Sequence, residues 1–242
     1  MIDGNGATIG EIGNRIYDVD QAINLDGDTD TTVKNNLIDR VETGIGSLNS
    51  VNLLVAQNTI GAGNGNGIDI RFATGNMEVS ENTITNGVNG IYVQDTNDAQ
   101  IQTNILNLQS ANGVSVTGGN NVNIDDNTVN AAGSNGFIIS GSNNLILTDN
   151  ISYDAGTDGF VVQNGDTATI TGNTSDGSTS YGMKIWNMLG ALVGQNTLTD
   201  NGSSGLYVSS STDTQVDGNT ISGNENGITV QGSVSAASDN TL

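Results

Sequence analysis

The feature that most constrains the fold of this chain is an internal repeat of about 23 residues that recurs along its whole length. One series consists of asparagines separated by 21 to 24 residues, with five consecutive steps of 23: Asn14, Asn36, Asn58, Asn82, Asn104, Asn127, Asn150, Asn173, Asn196, Asn219 and Asn240. A glycine series has steps of 23 and a final step of 22: Gly44, Gly67, Gly90, Gly113, Gly136, Gly159, Gly182, Gly205 and Gly227. A period of this length is typical of solenoids, in which each repeat buries its apolar face by stacking on the next.

Within each repeat, apolar and polar residues alternate over segments that are too short to form amphipathic helices. Val79 and Ile84 flank Asn82, and Ile91-Tyr92-Val93 follows Gly90. This alternation, interrupted by Gly and Asn, predicts three short strands per repeat. We therefore predict an all-β fold, a single-stranded parallel β-helix of about ten rungs of 22 to 23 residues. Stacking at ~4.8 Å per rung gives a rod roughly 50 Å long.

The two series have structural interpretations. Asparagine tolerates a left-handed turn, and stacked amides can hydrogen-bond along the rod, so we expect the Asn series at tight turns. We expect each Gly to adopt a conformation that other residues disfavour as the chain re-enters a strand.

The large apolar residues near the middle of the chain are interpreted as core. Phe137, Phe160 and Met183 enlarge the interior where Ser152 and Ser175 reduce it, so we do not interpret them as a ligand pocket.

Charge and composition exclude several classes of partner. The 26 acidic residues outnumber the five basic ones, and the net charge of -21 would repel nucleic acid and anionic membranes. The chain has no Cys and no His, and it lacks the long apolar run of a membrane span, so no disulfide framework, zinc site or membrane insertion is expected. We expect one domain, residues 1–242, in a secreted protein located outside the cell or at its surface.

The ends of the predicted rod should carry unpaired strand edges. Asn14 already belongs to a rung, and the last residues after Asn240 stop midway through another. No signal peptide is recognisable at the N-terminus. We therefore expect either a piece of a longer protein with flanking domains, or copies that stack end to end into a filament.

Outward-facing positions after each Gly form a ladder along one face, spaced for an extended polymer. Aromatic rings stack on sugars, and basic groups hold carboxylates. The candidate carbohydrate-binding residues on and beside this ladder are Tyr92, Asp158, Tyr181, Lys184, Trp186 and Tyr207. The alternative is that these are ordinary cross-strand neighbours of an exposed sheet.

A candidate metal site lies near the N-terminus. Asp26, Asp28 and Asp30 alternate in a loop, where their oxygens could bind calcium. Thr31 and Leu37 stand where an EF-hand requires Gly and Glu, so that motif is excluded. The alternative is a solvated acidic turn. The fold requires no cofactor, and calcium is the one ion that the sequence suggests.

The rung pattern resembles that of the pectate-lyase-like superfamily. The phrases Asp158-Gly159-Phe160-Val161 and Asn201-Gly202-Ser203-Ser204-Gly205-Leu206 are similar to the repeats of mannuronan C5-epimerases and alginate lyases. The resemblance implies a right-handed β-helix that acts on acidic polysaccharide. In that family an Asp-Pro-His-Glu run carries catalysis after a Tyr-Gly-Phe, whereas here Asn135-Gly136-Phe137 is followed by 138–141, Ile-Ile-Ser-Gly.

Two functions remain open from the sequence. The leading hypothesis is a non-catalytic extracellular β-helix, a structural, adhesive or filament element whose ladder binds polysaccharide. The alternative is a polysaccharide lyase or C5-epimerase acting on an acidic glycan such as alginate, with Lys184 as base, Tyr181 and Asp158 nearby, and calcium neutralising the substrate.

Overall fold

The computed structural model describes residues 6–10, 12–232 and 234–242, and within them it forms a parallel β-helix of three sheets. Sheet 1 contains β1 (Thr8–Ile9), β4 (Thr29–Lys34), β7 (Val51–Ala56), β10 (Thr74–Ser80), β13 (Ala99–Gln102), β16 (Asn123–Asp125), β19 (Leu145–Thr148), β22 (Thr167–Thr171), β25 (Gly190–Gly194), β28 (Thr214–Asp217) and β31 (Val234–Ser238). Sheet 2 contains β2 (Arg15–Tyr17), β5 (Leu37–Val41), β8 (Thr59–Ala62), β11 (Thr83–Asn86), β14 (Ile105–Asn107), β17 (Thr128–Asn130), β20 (Ile151–Tyr153), β23 (Thr174–Asp176), β26 (Thr197–Thr199) and β29 (Thr220–Ser222). Sheet 3 contains β3 (Gln21–Asp26), β6 (Thr43–Leu48), β9 (Ile68–Arg71), β12 (Ile91–Gln94), β15 (Val114–Thr117), β18 (Phe137–Ser140), β21 (Phe160–Gln163), β24 (Met183–Trp186), β27 (Ser204–Ser209) and β30 (Asn226–Gln231).

Each strand pairs in parallel with the strand one rung further along, as the repeat predicts. Ile91 of β12 lies opposite Val114 of β15, which in turn lies opposite Phe137 of β18. The prediction of an all-β solenoid with three strands per rung is confirmed. The described residues contain no helix that is long and apolar enough to cross a membrane.

The interior is one continuous apolar cluster, built from the inward-facing Ile, Val and Leu residues of all three sheets. Phe137 and Phe160 are fully buried and stack with ring centroids 4.8 Å apart, and Met183 lies one rung further on. These three side chains are core residues, as the sequence indicated. The hydroxyl of the nearby Ser152 is buried and has no hydrogen-bond partner in the described structure.

The asparagine series forms a buried hydrogen-bonded ladder, but the expectation that these residues are left-handed is wrong. The Asn150 Nδ2 donates to Asn173 Oδ1 over 3.1 Å, and its backbone N–H donates to the same oxygen over 3.0 Å. The left-handed residue is the one that precedes each asparagine, such as Asp149 with φ of 52°. That residue turns the corner, and the asparagine enters the interior with its amide fully hydrogen-bonded.

The glycine series is also explained differently from the expectation. Gly67, Gly90 and Gly136 have φ angles outside the left-handed region, so conformation does not require glycine there. Instead, a Cβ on Gly136 would lie 2.6 Å from the carbonyl oxygen of Gly159 in the next rung. The series marks positions where successive rungs approach each other closely, so that a side chain has no room.

Candidate functional site

Two parallel lanes of outward-facing side chains run along sheet 3. Lane 1 contains Asp69, Tyr92, Ser115, Ile138, Val161, Lys184, Tyr207 and Thr229 in register. Lane 2 contains Arg71, Gln94, Thr117, Ser140, Gln163, Trp186, Ser209 and Gln231. The predicted ladder is therefore present, and its side chains repeat at ~4.8 Å along the rod.

Four of the predicted carbohydrate-binding residues form one aromatic patch on these lanes and their margin: Tyr181, Lys184, Trp186 and Tyr207. The rings of Tyr181 and Tyr207 stack with centroids 4.7 Å apart and planes at 22°. Lys184 is the cross-strand neighbour of Tyr207, and its Nζ lies 5.8 Å from the centre of the Trp186 ring. Trp186 is 41% exposed, so its ring is available to a ligand.

Asp158 supports this patch from below its surface. The residue is only 8% exposed, and its Oδ1 accepts a hydrogen bond of 3.0 Å from the backbone N–H of Tyr181. Its position fixes the segment that carries Tyr181. Asp158 is therefore a positioning residue of the patch and offers little surface for direct contact with a ligand.

Tyr92 lies apart from the other five candidates. It is five rungs from Tyr207, which corresponds to ~24 Å along the rod. Its ring is covered by the guanidinium of Arg71 at 5.2 Å, and Arg71 donates two hydrogen bonds of 2.7 and 2.9 Å to Asp69. Hydrogen bonding to Asp69 raises the pKa of the Arg71 guanidinium. The sequence correctly placed these candidates on one face. The structure divides them between two patches, the aromatic patch and a second patch formed by Asp69, Arg71 and Tyr92.

The residues of the two lanes between these patches are uncharged. Lane 1 presents Ser115, Ile138 and Val161 there, and lane 2 presents Thr117 and neighbouring polar groups. Val161 is only 4% exposed, although it lies outside the continuous core cluster. This differs from the expectation that every position of the ladder is exposed to solvent.

A row of half-buried asparagines borders lane 1, and the sequence reasoning missed it. Asn66, Asn89, Asn112 and Asn135 lie one rung apart, and the Nδ2 of each of the last three donates to the Oδ1 of the one before it over 2.9 to 3.0 Å. The sequence contains a signal for this row, because each of these asparagines directly precedes a member of the Gly series and they recur with the same step of 23. We call this row the asparagine margin.

A second feature that sequence reasoning missed is a hollow of about 730 Å³ on sheet 2. Arg15, Tyr17, Leu37 and Arg40 stand around it, and Gly61 leaves space on its floor. The strand pairing shifts register between β5 and β8, which the repeat did not reveal. The sequence signal for this hollow is Gly61, which has no side chain where the next rung carries Thr85.

The predicted calcium loop has its three carboxylates in different environments. Asp28 is buried and accepts a hydrogen bond of 3.1 Å from the backbone N–H of Asp26, whereas the exposed Asp30 accepts one of 2.7 Å from Asn52 Nδ2. Among the described residues, no group of three or more His, Cys, Asp or Glu side chains is arranged to hold a metal ion. Calcium binding at this loop stays a prediction.

The fold and the two lanes define a parallel β-solenoid repeat protein with a long polar and aromatic face. The chain belongs to the right-handed β-helix family, whose model, described as right handed beta helix region, matches residues 2–106 and 112–242. Comparison with curated protein sequences gives no significant match.

Solved structures with the same fold include alginate epimerases. The A-module of mannuronan C-5 epimerase AlgE4 from Azotobacter vinelandii is 15% identical, with a TM-score of 0.73 over 98% of this chain and 81% of that one. The AlgE6 A-module of the same organism is 14% identical, with a TM-score of 0.70 over 97% and 81%. A double mutant of the periplasmic alginate epimerase AlgG is 12% identical, with a TM-score of 0.53 over 94% and 76%. At these identities the similarity shows the fold alone.

Proposed function

We propose that this protein is a non-catalytic β-helix that binds polysaccharide along sheet 3 and serves as an adhesive or structural surface. The observation that carries the proposal is the stacked pair Tyr181 and Tyr207 beside Lys184 and the exposed Trp186. These side chains lie on a straight face whose step suits an extended polymer.

The patch is organised before a ligand arrives. Tyr207 is held by its stack with Tyr181 and by the hydrogen bond of 2.9 Å that its hydroxyl donates to Gln231 Oε1. Side chains that are already ordered lose little conformational entropy on binding, so more of the contact energy becomes affinity. Aromatic rings fixed in this way are suited to stacking on the apolar face of a sugar.

A catalytic role for the same patch is the second candidate. Lys184 makes no ion pair within the described residues and lies beside Tyr207, so a base and a proton donor are adjacent. The catalytic run of the epimerases that the rungs resemble is missing after Phe137. Epimerisation and elimination also need a group that stabilises the charge of the enolate-like intermediate, and Lys184 cannot serve both as base and as that group. We therefore rank binding above lyase or epimerase activity.

The proposed location is outside the cytoplasm, at the cell surface or in the surrounding medium. Support comes from the acidic composition and from the name of one structural neighbour, a periplasmic alginate epimerase. End-to-end association into filaments is part of the same proposal. Rods that lengthen along the helix axis in electron micrographs would support it, and uniform single rods would contradict it.

Binding can be tested by affinity electrophoresis in gels that contain soluble polysaccharides. Trp186→Ala and Tyr207→Ala should each weaken retardation about 5- to 10-fold, because a lost aromatic contact is worth ~1 kcal/mol or slightly more. Tyr153→Ala is the matched control, since Tyr153 is similarly exposed but lies on sheet 2. Equal effects of all three substitutions would contradict binding on sheet 3.

The catalytic alternative is tested with the same polymers. Ultraviolet absorbance detects the unsaturated products of a lyase, and NMR detects epimerised sugars. Turnover by the wild-type protein that Lys184→Ala abolishes would replace our proposal with the enzymatic one.

A further inference from the structure

We propose that the polysaccharide held on sheet 3 is uncharged, a polymer of neutral sugars. This inference rests on the proposed binding function and adds the class of ligand. It follows from the distribution of charge along the two lanes, where Arg71 and Lys184 are the only basic residues.

Arg71 is already paired with a carboxylate on the same strand. Its Nε and Nη2 donate to the two carboxylate oxygens of Asp69 over 2.7 and 2.9 Å, and Asp69 also accepts a hydrogen bond from Asn66. The guanidinium therefore already has a bidentate carboxylate partner. The pair contributes no net charge to the surface.

Lys184 is the only unpaired cation on this face within the described residues. A polyuronate would place one carboxylate on each sugar, so a stretch spanning the ~24 Å from Tyr92 to Tyr207 would bring several negative charges. One lysine cannot compensate for them, and the chain as a whole carries a net charge of -21. Charges farther from the ligand than the Debye length of ~8 Å at physiological salt are largely screened, so the charges on this face matter more than the net charge of the chain.

The remaining groups on the face suit hydroxyl ligands. Asn89 and Asn112 in the asparagine margin are oriented by the ladder, and each uses one Nδ2 hydrogen for it. Neither amide nitrogen makes another hydrogen bond within the described part of the chain, so its second hydrogen can donate to a ligand. Ser140 and Gln163 add uncharged donors and acceptors across the lanes. A neutral sugar can satisfy these groups without bringing an unpaired charge to the surface.

The test compares neutral and acidic polymers in the same affinity gels. Xyloglucan, galactomannan and dextran are the neutral probes, and alginate and polygalacturonate are the acidic ones. At 50 mM NaCl we expect at least one neutral polymer to bind at least 10-fold more tightly than either polyuronate. Its dissociation constant should change less than 2-fold between 50 and 500 mM NaCl, because no ion pairs form.

A gain-of-function variant tests the role of charge through an increase in binding, which a misfolded protein would not show. Thr117→Lys combined with Gln163→Lys adds two cations to lane 2 between the patches. Retardation by alginate should increase at least 5-fold in this variant at 50 mM NaCl, and the increase should disappear at 500 mM.

The possible results separate the two proposals. Tighter, salt-sensitive binding of the wild-type protein to a polyuronate would overturn the neutral class and leave the binding function intact. An unchanged alginate affinity in the lysine variant would also contradict the charge argument. Absence of retardation by all five polymers would overturn the binding function, and this inference with it.

Discussion

Replacing one asparagine in the middle of the buried ladder should destabilise the whole rod. Asn150 is fully buried, and its Oδ1 accepts hydrogen bonds from both the backbone N–H and the Nδ2 of Asn127, at 3.0 and 2.9 Å. The two hydrogens of its Nδ2 are shared among three acceptors, Asn173 Oδ1 and the backbone carbonyls of Ile124 and Thr148. Asn150→Ala removes all of these side-chain contacts at once.

The size of the effect follows from which groups remain unpaired. The Asn127 backbone N–H loses its acceptor inside the protein, which costs about 1 to 3 kcal/mol. The lost donations from Nδ2 add about 1 kcal/mol for each bond that is not replaced. We therefore expect a decrease of about 3 to 5 kcal/mol in the free energy of unfolding, a large share of the total of about 5 to 15 kcal/mol that is usual for a domain.

Urea denaturation followed by far-ultraviolet circular dichroism measures this change. The control is Asn143→Ala in the same rung, where the side-chain bonds to Asn120 and Asp166 are exposed and water can replace them. The control should lose less than about 1 kcal/mol. Equal losses in the two variants would refute the view that the ladder stabilises the rod through buried, fully satisfied amides.

Three further predictions concern other parts of the rod. Gly136→Ala should destabilise the protein by about 1 to 3 kcal/mol in the same assay, because its Cβ would overlap the next rung, whereas Gly190→Ala has space and should change stability by less than about 1 kcal/mol. If loop 26–30 binds calcium, the melting temperature should be higher with calcium than with chelator, and identical values would exclude a stabilising ion. Hydrogen bonding from Arg40 lowers the pKa of Asp18, so its carboxylate should titrate by NMR below the usual range of an aspartate and return towards that range in Arg40→Gln. The pKa is depressed, so the small stabilisation by this pair is present at neutral pH and is lost as pH falls through the folded-state pKa.

The sequence determined the fold and the orientation of side chains. Two series with the same step, one of Asn and one of Gly, can be in phase only if successive rungs stack in register. Once the register is set, the alternation within each strand decides which residues face out. For this reason the sequence alone correctly places Lys184, Trp186 and Tyr207 on one face.

Only the tertiary structure decided how these residues interact. Tyr92 and Tyr207 share a lane, but distance along the rod divides them between two patches. The left-handed corner falls on Asp149 and not on Asn150, and Gly136 is required by contact with the next rung. A repeat in sequence specifies which residues are neighbours one rung apart. The corner geometry and the distances between side chains depend on how three sheets close around one core, and this information is absent from the period.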